Sequence, residues 1–596
     1  MAYNHYILTC GGTACESNKG AAIYERLIAE AEKQGVKGEV QIVKTGCFGF
    51  CEKGPIVKVL PEDSFYIEVK PEDAAEIIAE QIVKGREVPR LLYKNDENRK
   101  KKAAVEDIEF YQKQFRVVLR NCGVINPESI DEYIAREGYS GLEKALFEWT
   151  DEQLIGEMKA SGLRGRGGAG FPTWLKWDLA RKAQGDIKYV ICNADEGDPG
   201  AYMDRSTIEG DPHSVIEGMI TAGKAIGAHQ GFVYIRAEYP LAIERLKTAL
   251  SQAQDYGLLG KNILGSGFDF DIEIRLGAGA FVCGEETALI KSVEGSRGMP
   301  VPKPPFPANK GLWQRPTIIN NVETLANIPV ITAKGGAWLS KIGTEKSKGT
   351  KVFALTGKVK NSGLVEVPMG TTLREIIFEI GGGIRDGKKF KGVQTGGPSG
   401  GIITDVNLDT PIDYESLAAM GSMMGSGGMI VMDEDDCVVD VARFYMDFCV
   451  DESCGKCSPC RIGTTQILNI LEKIARGNGE EEDLDRLESI GTAMTKASLC
   501  MLGGSAANPT LSTVRKFRDE YLEHIRDKKC RSGKCKHLVR YEILAEKCIG
   551  CGLCARNCPA NCITGEKKSA HVIDQNACIK CGQCFTSCKF GAIAKS

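Results

Sequence analysis

Apolar and polar positions alternate along this 596-residue chain with periods that change from one segment to the next. Near the start, AAIYERLIAEAEKQG has the i, i+3, i+4 spacing of an amphipathic helix, while QIVKTG and GPIVKVL read as short strands; residues 1–90 are therefore expected to form a small α/β unit. Residues 91–115 are a polar linker whose basic run, Arg99, Lys100, Lys101 and Lys102, reads as a solvated helix end or hinge, with a docking patch as the alternative. Residues 116–335 are Gly-rich, with strands KYVICNA and GFVYIRA between helices, and predict a larger α/β domain. The stretch MPVPKPPFPA interrupts it as a rigid loop, because proline fixes φ. Over 345–435, strands KVFALTGKV and GLVEVP flank one helix, whose Thr372 and Glu375 have capping-box spacing ahead of Ile376, Ile377 and Ile380. Such a strand-rich unit with a single helix predicts a β-grasp-like module. Residues 436–525 read as helices with an acidic, solvated stretch at Glu480, Glu481 and Glu482; 526–540 are basic, and 541–596 are dense in cysteine.

Composition narrows the picture. A chain this long exceeds one hydrophobic core, which fits the several segments. Hydrophobic residues at 42%, charged residues at 26% and a net charge of -3 make no electrostatic case for nucleic acid or for a membrane surface. The start MAYNHYILTC has no basic and apolar leader pattern, and no run of about eighteen apolar residues occurs, so a cytoplasmic protein with no membrane partner is expected.

The 24 cysteines change more. Most sit in tight groups, which in a large chain without a leader points to metal rather than disulfides. Cys548, Cys551, Cys554 and Cys558-Pro559 repeat as Cys578, Cys581, Cys584 and Cys588, the run of bacterial ferredoxins, in which three close thiolates hold one cubane and the fourth reaches the other. Cys548, Cys551, Cys554 and Cys588 are thus paired on one [4Fe-4S], and Cys578, Cys581, Cys584 and Cys558 on the second, with a zinc double knuckle as the alternative. Cys454, Cys457 and Cys460 form another three-thiolate loop, and Cys500, about forty residues on, is placed to return as fourth ligand of a third [4Fe-4S]. Cys10 and Cys15, with Cys47 and Cys51, are two pairs that each follow a strand and suit one [2Fe-2S]; structural zinc is the alternative. Cys530, Cys535 and His537, with Cys562, fit a tetrahedral zinc, and free thiols in a basic linker fit equally. Cys122, Cys192, Cys283, Cys437 and Cys449 read as buried apolar thiols without chemistry.

The segment Gly162 to Thr173, containing Gly165, Arg166, Gly167, Gly168 and Gly170, leads into the helix TWLKWDLARKA, an arrangement that offers backbone amides and a helix N-terminus to a phosphate. Three more segments accompany it: Asn193 to Gly200, Gly284 to Thr287, and Asn320 to Thr324. Together, over about residues 116–525 and with the cubane motif included, they resemble the NADH-oxidising flavoprotein subunit of respiratory complex I and its relatives in soluble NAD-reducing hydrogenases and formate dehydrogenases. The resemblance implies a Rossmann-like FMN domain in which Gly165, Arg166, Gly167, Gly168, Lys176, Asn193, Asp195, Glu196, Gly284, Glu285, Asn320, Asn321 and Thr324 surround FMN. It implies that Phe171, Asp198, Phe281, Glu286 and Phe306 contact the nucleotide, the aromatics by stacking. Trp174, Phe281 and Asp198 depart from the residues usual in the family. These departures leave the flavin chemistry in place and put nucleotide preference in doubt.

With a thioredoxin-like [2Fe-2S] domain ahead of the flavoprotein core, a helical [4Fe-4S] bundle and a ferredoxin-like tail, the whole chain is similar to the β subunit of multimeric, electron-bifurcating [FeFe]-hydrogenases. What this implies is exchange of electrons between NAD(H), FMN, three [4Fe-4S], one [2Fe-2S] and ferredoxin, beside a hydrogenase catalytic subunit and a small [2Fe-2S] thioredoxin-like subunit. The alternatives are the diaphorase subunit of an NAD-dependent formate dehydrogenase, an NADP-reducing hydrogenase subunit, and a scaffold whose metals only hold it together. Glu286 is expected to select NAD(H), since its carboxylate would repel a 2′-phosphate unless a basic group intervenes.

Overall fold

The computed structural model describes residues 3–94 and 108–595. The basic run at 99–102 lies outside the described residues. The chain separates into two compact units, residues 1–388 with 392–431, and residues 389–391 with 432–596. Among the described residues no helix is long and apolar enough to cross a membrane.

In the first unit, β1 (His5–Cys10) pairs parallel to β2 (Val40–Thr45) and antiparallel to β3 (Val57–Leu60), which is followed by β4 (Ser64–Tyr66) in a sheet of order β2-β1-β3-β4. Helices α1 (Thr13–Ser17) and α2 (Gly20–Lys33) follow β1. The apolar stripe of α2, Ile23, Leu27 and Ala31, is buried with Ile7, Val57 and Val59, as its spacing predicts. Cys10 ends β1 and Cys47 lies two residues past β2, so the pairing of these strands alone brings two thiols together.

The central domain is a parallel sheet of order β7-β6-β5-β8, from β5 (Tyr189–Ala194), β6 (Gln230–Arg236), β7 (Asp271–Gly277) and β8 (Thr317–Asn321). Parallel strands covered on both faces read as continuous apolar runs, and Gly231 to Ile235 of β6 are all buried. From β5 the chain builds outward through β6 and β7, then returns to place β8 on the other side. The crevice at the carboxyl ends of β5 and β8 is therefore a topological switch point, where open α/β sheets bind ligands. Asn193 and Asn321 face each other across it in register. Around the sheet stand α3 (Asp151–Ser161), α4 (Thr173–Lys182), α5 (Met203–Gly210), α6 (Pro212–Ile226), α7 (Glu286–Val293) and α8 (Val322–Lys334). Helix α6 is buried almost all round; Asp211 caps it, with Pro212 at its first position.

A five-stranded sheet of order β10-β9-β13-β11-β12 follows, from β9 (Thr350–Gly357), β10 (Gly363–Pro368), β11 (Phe390–Thr395), β12 (Ile402–Ile403) and β13 (Gly428–Asp433). The expected capping box forms: Thr372 N–H donates to Glu375 at 2.8 Å and Glu375 N–H to the Thr372 hydroxyl at 3.2 Å. The helix it opens is wound as a π-helix over Glu375–Ile380, which still buries Ile376, Ile377 and Ile380.

The second unit contains the helices α9 (Val438–Glu452), α10 (Ser458–Ala475), α11 (Glu482–Ala497) and α12 (Arg518–Leu522), then two small two-stranded sheets between residues 541 and 595.

Within the first unit, Lys351 on β9 and Glu323 on α8 form a fully buried ion pair. Glu323 also accepts from Val352 N–H at 2.9 Å, and Lys351 Nζ donates to the carbonyls of Val352 at 2.9 Å and Ser426 at 2.6 Å. Removing one partner strands the other charge without water. Lys351→Met is expected to cost about 3–5 kcal/mol, and the double variant with Glu323→Gln less. Urea unfolding of both variants checks this, and equal losses would contradict it.

Candidate flavin, nucleotide and metal sites

The Gly-rich loop begins where α3 ends at Gly162 and closes on itself: Gly165 N–H donates to Phe171 O at 2.8 Å. Gly168 (φ 122) and Gly170 (φ 63) take left-handed backbone that side chains disfavour. The loop feeds the N-terminus of α4 and runs beside the switch-point crevice, where a Cβ on Gly167 would stand 3.1 Å from the Asn321 Cβ. Lys176, in the first turn of α4, donates to Ile319 O at 2.8 Å; burial holds its ammonium below the usual lysine range. A buried cation beside glycine amides fits a phosphate. Asn193 donates to Gly284 O at 2.9 Å and accepts from Asp195 N–H at 3.1 Å, which ties the second segment to the third. Asn320 accepts from Trp177 Nε1 at 3.0 Å, and Asn321 caps α8 through Glu323 N–H at 2.9 Å. Asp195, with its side chain fully buried, lies 3.8 Å from Arg236 Nη1. The donor set of amides, asparagines and one cation is suited to FMN.

Two residues expected around the cofactor have other tasks. Arg166 is fully buried, and its guanidinium donates to the carbonyls of Lys348, Thr350 and Arg164 at 2.5–2.9 Å, while its N–H bonds Thr324 Oγ1 at 2.8 Å. It locks the loop onto β9, because guanidinium donors that deep require carbonyl partners. Glu285 caps α7, accepting from Thr287 N–H at 2.9 Å and Ala288 N–H at 3.0 Å. Its other oxygen sits 3.0 Å from Lys303 Nζ, and Lys303 also pairs with Glu286 at 2.5 Å. Lys303 comes from the Pro-rich loop, where no local pattern marked it. It is the basic group whose absence the expected role of Glu286 assumed.

Phe171 and Phe306 are 45% and 55% exposed, large aromatic rings held in water at the site, while Phe281 packs over Gly197. Asp198 accepts from the Ser426 hydroxyl. Burial pushes Asp198 up to about 6 and Glu196 up to about 7, and burial followed by repulsion from Glu196 drives Asp204 well above its ordinary range.

The thiols gather in separate sets. Cys10, Cys15, Cys47 and Cys51 are linked by mutual thiol contacts within the first unit. Cys454, Cys457, Cys460 and Cys500 act electrostatically on one another. Cys457 occupies the N-cap position of α10 and Cys460 lies in its first turn, where burial pushes its thiol up. Cys548, Cys551, Cys554 and Cys588 line one cavity, and Cys558, Cys578, Cys581 and Cys584, with Cys562 beside them, line another.

The fifth set differs from expectation. Cys530 and Cys535 meet Cys437 and His524, all buried, with one ligand atom of each within 4.8 Å of the others. His537 is exposed instead, and Cys562 packs 3.4 Å from Cys558 in a different hydrophobic cluster. Cys437, read as an inert thiol, is a candidate ligand. His524 Nδ1 donates to Glu520 O at 2.7 Å, leaving Nε2 3.4 Å from Cys437 Sγ. Burial opposes a charge on His524, yet the thiols of Cys437 and Cys530 push it up to about 10.

The Glu196 shift has a measurable sign. Its folded pKa lies above its unfolded value of 4.5, so the ionisation cost is absent at low pH and grows as pH rises from about 4.5 to about 7. Glu196→Gln carries no such cost. Its melting temperature relative to the unaltered chain should therefore climb between pH 5 and pH 8, as followed by calorimetry; a flat difference would show that Glu196 ionises freely.

Comparison with known proteins places these sites. Family models match as the Nuo51 FMN-binding domain at 158–330, the SLBB domain at 352–403, the iron–sulfur binding region of NADH-ubiquinone oxidoreductase-F at 440–524, a 4Fe-4S dicluster domain at 547–592 and a thioredoxin-like [2Fe-2S] ferredoxin at 2–81. The chain is 60% identical over 484 residues to the NADP-reducing hydrogenase subunit HndC of Solidesulfovibrio fructosivorans, covering 81% of this chain and 98% of that one. It is 43% identical over 397 residues to an NADH-quinone oxidoreductase subunit of Escherichia coli, covering 66% and 89% respectively. Among solved structures, an NAD+-reducing [NiFe]-hydrogenase in the H2-reduced state matches with a TM-score of 0.62 at 29% identity, over 88% of this chain and 85% of that one. With its FMN-binding, SLBB and iron–sulfur domains in one polypeptide, the chain belongs to the oxidoreductase family of the complex I 51 kDa flavoprotein subunit and the diaphorase subunits of hydrogenases.

Proposed function

We propose that this chain is the pyridine-nucleotide-oxidising and -reducing subunit of an electron-bifurcating [FeFe]-hydrogenase complex, holding FMN, one [2Fe-2S] and three [4Fe-4S]. The observation that carries this reading is convergence. Four segments remote in sequence meet at the β5/β8 switch point, in a chain whose thiols gather into four-thiol sets. Bound FMN supplies the conversion between hydride and single electrons. The chain's own residues bind and orient: the loop amides and Lys176 hold phosphate, Asn193, Asp195, Asn320 and Asn321 line the flavin, and Phe171, Phe281 and Phe306 stack on the nucleotide. No side chain is required as a general acid or base, since hydride passes between rings held in position. Electrons leave toward a hydrogenase catalytic subunit, a small [2Fe-2S] thioredoxin-like subunit and ferredoxin.

One observation favours NADP(H) as the nucleotide. Lys303 pairs with Glu286 and also reaches Glu285, so one of the two negative charges beside the expected 2′-phosphate position is offset at close range. The name of the relative HndC, an NADP-reducing hydrogenase subunit, agrees. Lys303→Ala should lower kcat/KM for NADPH relative to NADH by about tenfold, about 1.4 kcal/mol. Steady-state assays with an artificial acceptor at constant salt measure it, and an unchanged ratio returns the choice to NAD(H).

Anaerobic addition of NADH or NADPH to the purified chain should bleach its flavin, and about fourteen iron atoms per chain are expected from the four clusters. A flavin that neither nucleotide bleaches would leave the scaffold reading. Cys437, His524, Cys530 and Cys535 are proposed to hold one structural zinc, whose charge would displace the thiol and imidazole protons. Elemental analysis should find zinc lost in Cys437→Ser and retained in His537→Ala and Cys562→Ser; retention in all three would sink the assignment.

A further inference from the structure

Both ends of α5 are tied down. At its start, Glu196 of the flavin segment caps the helix: Oε1 accepts from Asp204 N–H at 3.0 Å and Oε2 from Arg205 N–H at 3.1 Å. At its end, the Glu209 carboxylate accepts from Thr13 N–H at 3.0 Å and from the Thr13 hydroxyl, and Thr13 opens α1, which carries Cys15. A Cβ on Gly46, the residue before Cys47, would stand 2.4 Å from the Gly210 Cα, so two backbones touch beside a cage thiol and only glycine permits it. Tyr202 stands directly before α5, and its hydroxyl and the Arg205 guanidinium both lie where they act on Cys51 Sγ. Arg205 is held 5.7 Å from the centre of the Tyr202 ring and 5.4 Å from that of Tyr239. Cys51 is half-buried, whereas Cys10, Cys15 and Cys47 are buried.

We propose that Tyr202 and Arg205, supplied by the flavin-binding domain, set the reduction potential of the two-iron centre held by the N-terminal domain. This rests on reading Cys10, Cys15, Cys47 and Cys51 as its ligands. Reduction adds negative charge to the cluster and its sulfurs. A hydroxyl beside one of those sulfurs and a guanidinium nearby stabilise that charge, and in this half-buried setting they are screened less than in bulk water. Glu209 lies 3.8 Å from Arg205 Nε and damps the guanidinium, so Tyr202 has the larger effect.

The test is an EPR-monitored redox titration of the full chain with its clusters, comparing Tyr202→Phe and Arg205→Gln with the unaltered protein. Tyr202→Phe keeps the ring and removes one donor. It should weaken electron uptake by the two-iron centre about tenfold, a shift of about 59 mV to lower potential. Arg205→Gln should move it the same way by less, while the four-iron signals stay in place. A two-iron signal whose potential neither variant moves overturns the inference alone, as does an equal shift of every centre. No two-iron signal in the unaltered chain overturns the reading of the four cysteines, and this inference with it.

Discussion

The buried pair of Lys351 and Glu323 is the interaction on which the flavin site's geometry depends. Its charges cannot be solvated, so β9 and α8 must hold one spacing if each is to satisfy the other. Around that spacing the site is strung. Asn321 and Thr324 flank Glu323 on α8, and Thr324 receives the N–H of Arg166, whose guanidinium returns to the β9 backbone. Ser426, whose carbonyl binds Lys351, offers its hydroxyl to Asp198. The Gly-rich loop, the second segment and the strand-rich module are thus fastened to one pair of charges that touches no ligand itself.

A good deal of this was legible in the residues, for reasons that differ from place to place. The gathering of Cys454, Cys457 and Cys460 was legible because three thiols within seven residues carry their nearness in their spacing. The parallel sheet was legible through strands such as GFVYI, apolar without alternation because both faces are covered. Cys437 and His524 were not legible. They stand 87 residues apart, each in an ordinary helical context, and only the packing of α9 against the helix that follows α12 brings them together. His537 attracted attention by nearness in sequence to Cys535, and Cys562 as the cysteine left over within the ferredoxin repeat; neither ground fixes a ligand in a folded chain. The bonds of Arg166 were not legible either: its length lets it turn back through the loop and bind carbonyls of residues far along the chain.

Charge at the nucleotide end shows how one unmarked residue alters an inference. Glu285 and Glu286 read alone make an acidic rim. With Lys303 against both, Glu285 caps a helix and Glu286 is half of an ion pair, so the rim's net charge is smaller by one unit than the two acids suggest. The lysine's position depends on a proline-rich loop whose path no periodicity encodes.

The backbone contact between Gly46 and Gly210 has a kinetic consequence. A small iron–sulfur protein that visits its flavoprotein by diffusion exchanges electrons in a bimolecular process, limited by encounter and dependent on the concentration of both. Here the two-iron module belongs to the same polypeptide and is seated against α5 with no gap for solvent at that point. On the proposed electron route, exchange across this boundary would be first order, unchanged by dilution and insensitive to the ionic strength that governs encounters between separate proteins.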